Sequence, residues 1–129
     1  MGPTKEFVAK TLRLPQKFLD DCALFLDEGR FRSSVDRAYY SIHFGAVALL
    51  VSLGVEAPRS HRGLVNLFGR EIVKTGVLGE EYGDIVSYAL RERTISTYDA
   101  VAEISEAETE EVVNKARRFH AAIRSLLDM

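Results

Sequence analysis

Asp36, Arg37, Tyr40, Ser41 and His43 fall on one face of a helical period, at one end of an otherwise apolar run. A carboxylate, a guanidinium, a phenol and an imidazole gathered there can form a functional surface. They can equally hydrogen-bond one another and close a bundle end. A second polar stretch lies roughly fifty positions further on. Arg93 continues an inward-facing helical stripe, where an unpaired charge is costly, so it requires Asp36 or a bound phosphate as partner. Two arginines brought together repel unless an acid or an anion sits between them, and Asp36 and Asp99 are the acids within reach. Antiparallel packing sets the start of one helix near the end of another. Arg37, Tyr40, Arg93 and Tyr98 are therefore expected to converge on one polar cleft, and a purely structural ion pair between two helix ends is the alternative.

The elements that must position these residues are helices. From Phe31 to Gly54, the residues Val35, Ala38, Tyr39, Ile42, Ala46, Leu49 and Leu53 form one apolar stripe, and Gly54 ends it. Phe44, Val47, Ala48 and Val51 make the second half of that helix apolar all round. It must be covered by bundle neighbours or by a second copy, and a homodimer is expected. Upstream, Pro15 suits the first position of a helix whose stripe is Phe18, Leu19, Cys22, Phe25 and Leu26. A short amphipathic helix with Phe7, Val8 and Leu12 can begin near Pro3 and Thr4. Gly29 leaves so short a connection that the helices before and after it must be antiparallel neighbours.

Past Gly54, Pro58 blocks helix and Ser60 can cap the next one, which carries Leu64, Val65, Leu67, Phe68, Ile72 and Val73 up to Gly76. Tyr82, Ile85, Val86, Ala89 and Leu90 mark a further helix, and the serine, threonine and aspartate residues from Thr94 to Asp99 break its pattern. Ser105 with Glu108 reads as a capping box ahead of Val112, Val113, Ala116, Phe119, Ile123, Leu126 and Leu127. No stretch alternates with period two for long enough to be a strand. The expectation is an all-α, up-and-down four-helix bundle with a short extra helix, forming one domain over residues 1–129.

Composition narrows the chemistry. A single cysteine, Cys22, excludes a disulfide framework and a cysteine-based zinc site, and suits a reducing cytoplasm as a small core residue. Phe44 to Leu53 is too short an apolar run for a bilayer span, and the first residues lack a secretory signal, so a cytoplasmic protein without a membrane anchor is expected. With 17 basic and 19 acidic residues the net charge is −2, which gives no global case for non-specific nucleic-acid binding. Any RNA contact must be local. The residues three before His43, His61 and His120 are Tyr40, Pro58 and Arg117, so no Glu-x-x-His pair exists for a di-iron site. Phosphate-binding loop, dinucleotide and nucleophile-elbow motifs are absent. Neither metal nor cofactor is expected. His120 reads as a packed histidine, and His61 as a capping or packing one.

Taken together, Arg37-Ala38-Tyr39-Tyr40, the apolar helix after it, Ser60-His61-Arg62-Gly63, Phe68, Val73-Lys74-x-Gly76 and an arginine shortly before Tyr98-Asp99 resemble the HEPN domain family. The likeness is greatest to small stand-alone prokaryotic members encoded beside minimal nucleotidyltransferases, and it spans roughly residues 17–127. It implies a four-helix bundle that commonly dimerises. Many members resemble one another in an Arg-x4-6-His motif tied to metal-independent RNA cleavage. Here Arg91 and Tyr98 fit the extended form of that motif, and the histidine position holds Ser96. Drawing a proton from a 2′-hydroxyl needs a base, which an imidazole supplies and an unassisted serine does not. In a second register, Arg-x-x-Ala-Asp-Tyr, the family arginine aligns with Arg93, and Ser96 and Thr97 stand where alanine and aspartate would.

The resemblance implies a toxin–antitoxin or related regulatory role as partner of a separate nucleotidyltransferase, with Tyr98 matching a tyrosine that can be modified by nucleotide transfer. One alternative is a ribonuclease in which His43 or His61 replaces the missing base, provided that either lies near Arg93 and Tyr98. The other is a non-catalytic nucleotide- or anion-binding bundle using Arg37, Tyr40 and Arg93.

Overall fold

The computed structural model describes residues 5–127, and among them every regular element is helical. Helix α1 is Lys5–Asp27, α2 Phe31–Ser52, α3 His61–Phe68, α4 Glu80–Tyr98 and α5 Glu106–Leu126, and a π-helical turn, Gly69–Val73, prolongs α3. The architecture is the expected all-α bundle. None of these helices is long and apolar enough to cross a membrane.

Helix α2 is the centre and packs against α1, α3, α4 and α5. Its buried face carries Val35, Ala38, Tyr39, Ile42, Ala46 and Leu49, as the periodicity requires. Leu53 departs from that stripe: it caps the helix and is half exposed, while Leu50 is fully buried in its stead. Gly45 brings α5 close, since a Cβ there would lie 3.3 Å from the Phe119 ring. Phe44, Val47 and Val51 are left half-buried.

Helix α1 corrects the expectation that a new helix begins at Pro15. It runs unbroken through that residue. Proline removes one intrahelical bond and costs about 3 kcal/mol in a free helix. Here the buried face of Leu12, Pro15, Leu19 and Cys22 lies against α2, and packing holds the helix together. Two buried hydroxyls of α2 stitch the pair: Ser41 Oγ donates to the Pro15 carbonyl over 2.9 Å, and Ser34 Oγ to the Cys22 carbonyl over 2.7 Å. Ser41 is thereby removed from the polar patch assigned to it by periodicity. Pro3 and Thr4 lie outside the described residues. At the other end, Gly29 at φ 73° lets its own N–H and that of Arg30 close the helix onto Leu26 and Phe25, and the chain reverses into α2.

Helix α4 does not break at Thr94 but continues to Tyr98. The hydroxyls of Thr94 and Ser96 bond back to the carbonyls of Leu90 and Arg93 instead of competing with the helix. Arg32 of α2 then satisfies the terminal carbonyls, its guanidinium donating to Ser96, Asp99 and Ala102. Helix α5 opens with the complete Ser105–Glu108 capping box.

Candidate functional site

Arg93 is the hub of a polar cluster between α2 and α4. Its side chain is only 16% exposed. Nη2 donates to the Tyr40 hydroxyl over 3.2 Å, and Nε lies 3.7 Å from Asp36 Oδ1. The guanidinium also stands 5.6, 5.7 and 5.9 Å from the ring centres of Tyr39, Tyr40 and Tyr98. Burial works against its charge, but Tyr40, Tyr98, Asp36 and Tyr39 outweigh it, so Arg93 holds its proton more firmly than a free guanidinium. On the far side of the same carboxylate, Arg37 Nη1 is 3.9 Å from Asp36 Oδ2. Asp36 therefore separates the two arginines. Arg93 Nε makes no hydrogen bond of its own, because Asp36 Oδ1, which it faces as an ion pair, lies beyond hydrogen-bond range.

A second group adjoins the first through Tyr39, whose phenol is 3% exposed. Its hydroxyl pairs with Nδ1 of His43 at 3.3 Å and with Nδ1 of His61, the first residue of α3. The two imidazole centres are 5.0 Å apart. Burial, reinforced by His61 and then Arg93, pushes His43 down to about 4, so its ring is neutral near neutral pH. Burial also pushes the Tyr39 phenol up to about 12, so it keeps its proton. Beside this group, Phe18, Tyr40 and Phe44 form a half-buried aromatic surface, with Phe18 and Phe44 stacked at 5.8 Å and the Arg37 guanidinium 5.7 Å above Phe18.

Among the residues singled out from the sequence, the structure gathers Asp36, Arg37, Tyr40, His43, Arg93 and Tyr98. Others stand apart. Arg91 is exposed and points over Tyr88 instead. Ser96 is 5% exposed, with its hydroxyl on the Arg93 carbonyl 3.1 Å away. Asp99 does not lie between the arginines. Its Oδ1 accepts from the N–H groups of Val101 and Ala102, so it shapes the turn after α4. His120 is packed in the core with Nε2 on Gln16 Oε1 at 2.8 Å. Among the described residues, no three His, Cys, Asp or Glu side chains stand together as a metal site.

Sequence reasoning assigned Tyr39 to the apolar stripe, although the i, i+4 spacing of Tyr39 and His43 on one helix could have flagged the pair. Nothing local could have flagged His61 as their third member. Arg32 was missed because its partners are backbone carbonyls.

Comparison with known proteins agrees with this architecture. The HEPN domain family matches residues 9–126, and the chain belongs to that family. It is 30% identical to a UPF0332 protein of Thermotoga maritima over 99% of this chain and 96% of that one. It is also 30% identical to a protein of Methanocaldococcus jannaschii named as a candidate toxin, over 95% of this chain and 90% of the relative. A second protein of that archaeon, named in the same way, is 28% identical over 89% of this chain and 78% of its own length.

Proposed function

We propose that the chain is the HEPN member of a toxin–antitoxin-type pair, that its partner is a separate nucleotidyltransferase, and that Tyr98 is the hydroxyl presented to that partner. The observation that carries this reading is the Tyr98 phenol, 73% exposed at the end of α4 with the Arg93 guanidinium 5.9 Å from its ring. An acceptor for nucleotidyl transfer must be reachable by another protein's active site. A guanidinium beside it offers forked donors to the phosphate being delivered. The names of the two archaeal relatives support the toxin side of the reading. The half-buried Phe44, Val47 and Val51 support a homodimer, because a second copy would complete their burial.

The test is a pull-down from the native host, followed by intact-mass measurement after incubation with the recovered nucleotidyltransferase and ATP. A nucleotidyl adduct on the wild type and none on Tyr98→Phe is the expected result. Recovery of no nucleotidyltransferase, or heat of nucleotide binding without an adduct, overturns the reading in favour of a non-catalytic anion pocket.

A further inference from the structure

Helices α1 and α5 pack against each other and line a cavity of about 380 Å³ that shares no residue with the cluster between α2 and α4. On α1, Arg13, Gln16, Lys17 and Asp20 follow at i, i+3, i+4 and i+7, which sets them on one face, and on α5 His120 and Arg124 follow at i, i+4. Three cations and one acid therefore line the space. None of Arg13, Lys17 and Arg124 forms an ion pair or a hydrogen bond among the described residues. Such an excess of positive charge draws an anion. Ala9 and Leu12 add an apolar wall. Against the ~30 Å³ that one liquid water takes up, the cavity has room for an anion with a short carbon skeleton.

His120 decides what that anion must carry. Asp20 Oδ1 accepts from Gln16 Nε2 over 2.9 Å, so the other end of the amide, Oε1, meets His120 Nε2 at 2.8 Å. An amide oxygen only accepts, so Nε2 carries the ring proton and Nδ1 is a bare lone pair. That Nδ1 belongs to a side chain 5% exposed and has no hydrogen bond. Burial, then Arg124, hold the imidazole below the ordinary histidine range against the pull of Asp20, so it is unprotonated at neutral pH. The missing partner is thus a donor. Histidine χ2 is a soft torsion, and a modest turn of the ring offers Nδ1 to the cavity while Nε2 keeps Gln16.

We infer that this cavity is a binding site for a small phosphomonoester, with Arg13, Lys17 and Arg124 holding the phosphoryl oxygens and His120 Nδ1 accepting from the P–OH. A phosphomonoester gives up its second proton near pH 6, so it brings both the charge and the proton that the site asks for. Sulfate and carboxylates bring charge alone near neutrality. Asp20 acts through Gln16, whose amide it orients toward His120. The site goes beyond the toxin–antitoxin reading and uses none of its residues, so either can fail alone.

The full-length chain is titrated calorimetrically with ribose 5-phosphate, inorganic phosphate and sulfate at about pH 6, where both forms of a phosphomonoester are present. Ribose 5-phosphate should bind, inorganic phosphate more weakly, and sulfate more weakly than inorganic phosphate by roughly tenfold or more. Lys17→Gln and Arg124→Gln should each weaken ribose 5-phosphate by roughly tenfold. His120→Gln keeps an amide N–H for Gln16 and removes the Nδ1 acceptor, so it should erase the preference for phosphate over sulfate. Where circular dichroism shows that this variant does not fold, the ring nitrogen resonances of His120 in the wild type replace it: Nδ1 should shift on addition of inorganic phosphate and not of sulfate. Undiminished binding in the Lys17 and Arg124 variants, sulfate held as tightly as phosphate, inorganic phosphate held as tightly as the ester, or no heat with any of the three overturns the assignment.

Discussion

Arg93 of α4 donates to the hydroxyl of Tyr40 of α2 across 3.2 Å, joining positions 53 residues apart. The bond fixes the end of α4 over the face of α2 that carries Asp36 and Arg37, and so makes one cleft of two distant stretches of sequence. Arg93→Ala should strand the Tyr40 hydroxyl and leave Asp36 with Arg37 alone. A loss of about 1.5–3 kcal/mol is expected, the scale of one hydrogen bond to a charged group. It would be seen as a melting temperature lower by several degrees, together with loss of the Tyr98 adduct. Arg93→Lys should recover much of the stability and little of the adduct, because a lysine lacks the planar fork.

Arg32 is the clamp on the same helix end. Its three carbonyl partners, on Ser96, Asp99 and Ala102, have no other side-chain donor among the described residues. Arg32→Ala should destabilise the fold by about 2 kcal/mol. The loss should be local: amides 95–102 should exchange faster with deuterium while those of α2 and α5 stay protected. Uniform loss of protection throughout would show that the clamp acts on the whole bundle.

The pH response follows from His43. Its pKa falls to about 4 in the fold because burial, then His61 and Arg93, disfavour its charged form. An unfolded histidine titrates near 6.5. Between about 6.5 and about 4 the unfolded chain therefore binds more protons than the folded one, and stability falls as pH falls through that window. Chemical denaturation at a series of pH values should show this slope, and His43→Gln should flatten part of it. An unchanged slope in the variant would place the acid sensitivity elsewhere.

Helix content and order were legible from the sequence because a 3.6-residue period of apolar side chains is a local property. The α2 stripe from Val35 to Leu49 and the Ser105 capping box could each be read within a few turns. The pairing of Arg93 with Asp36 was also within reach, since a charge placed on a buried stripe must find its opposite. Local rules failed where distant contacts outweighed them. Pro15 stays inside α1 because α2 packs along it, and α4 outlasts its serine and threonine run because Arg32 caps it. Only the folded chain decides that Arg91 lies over Tyr88, and that Asp99 turns to its own backbone. The meeting of Tyr39 with His61 belongs to the same kind of outcome: 22 positions separate them, and the packing of α3 on α2 brings imidazole to phenol.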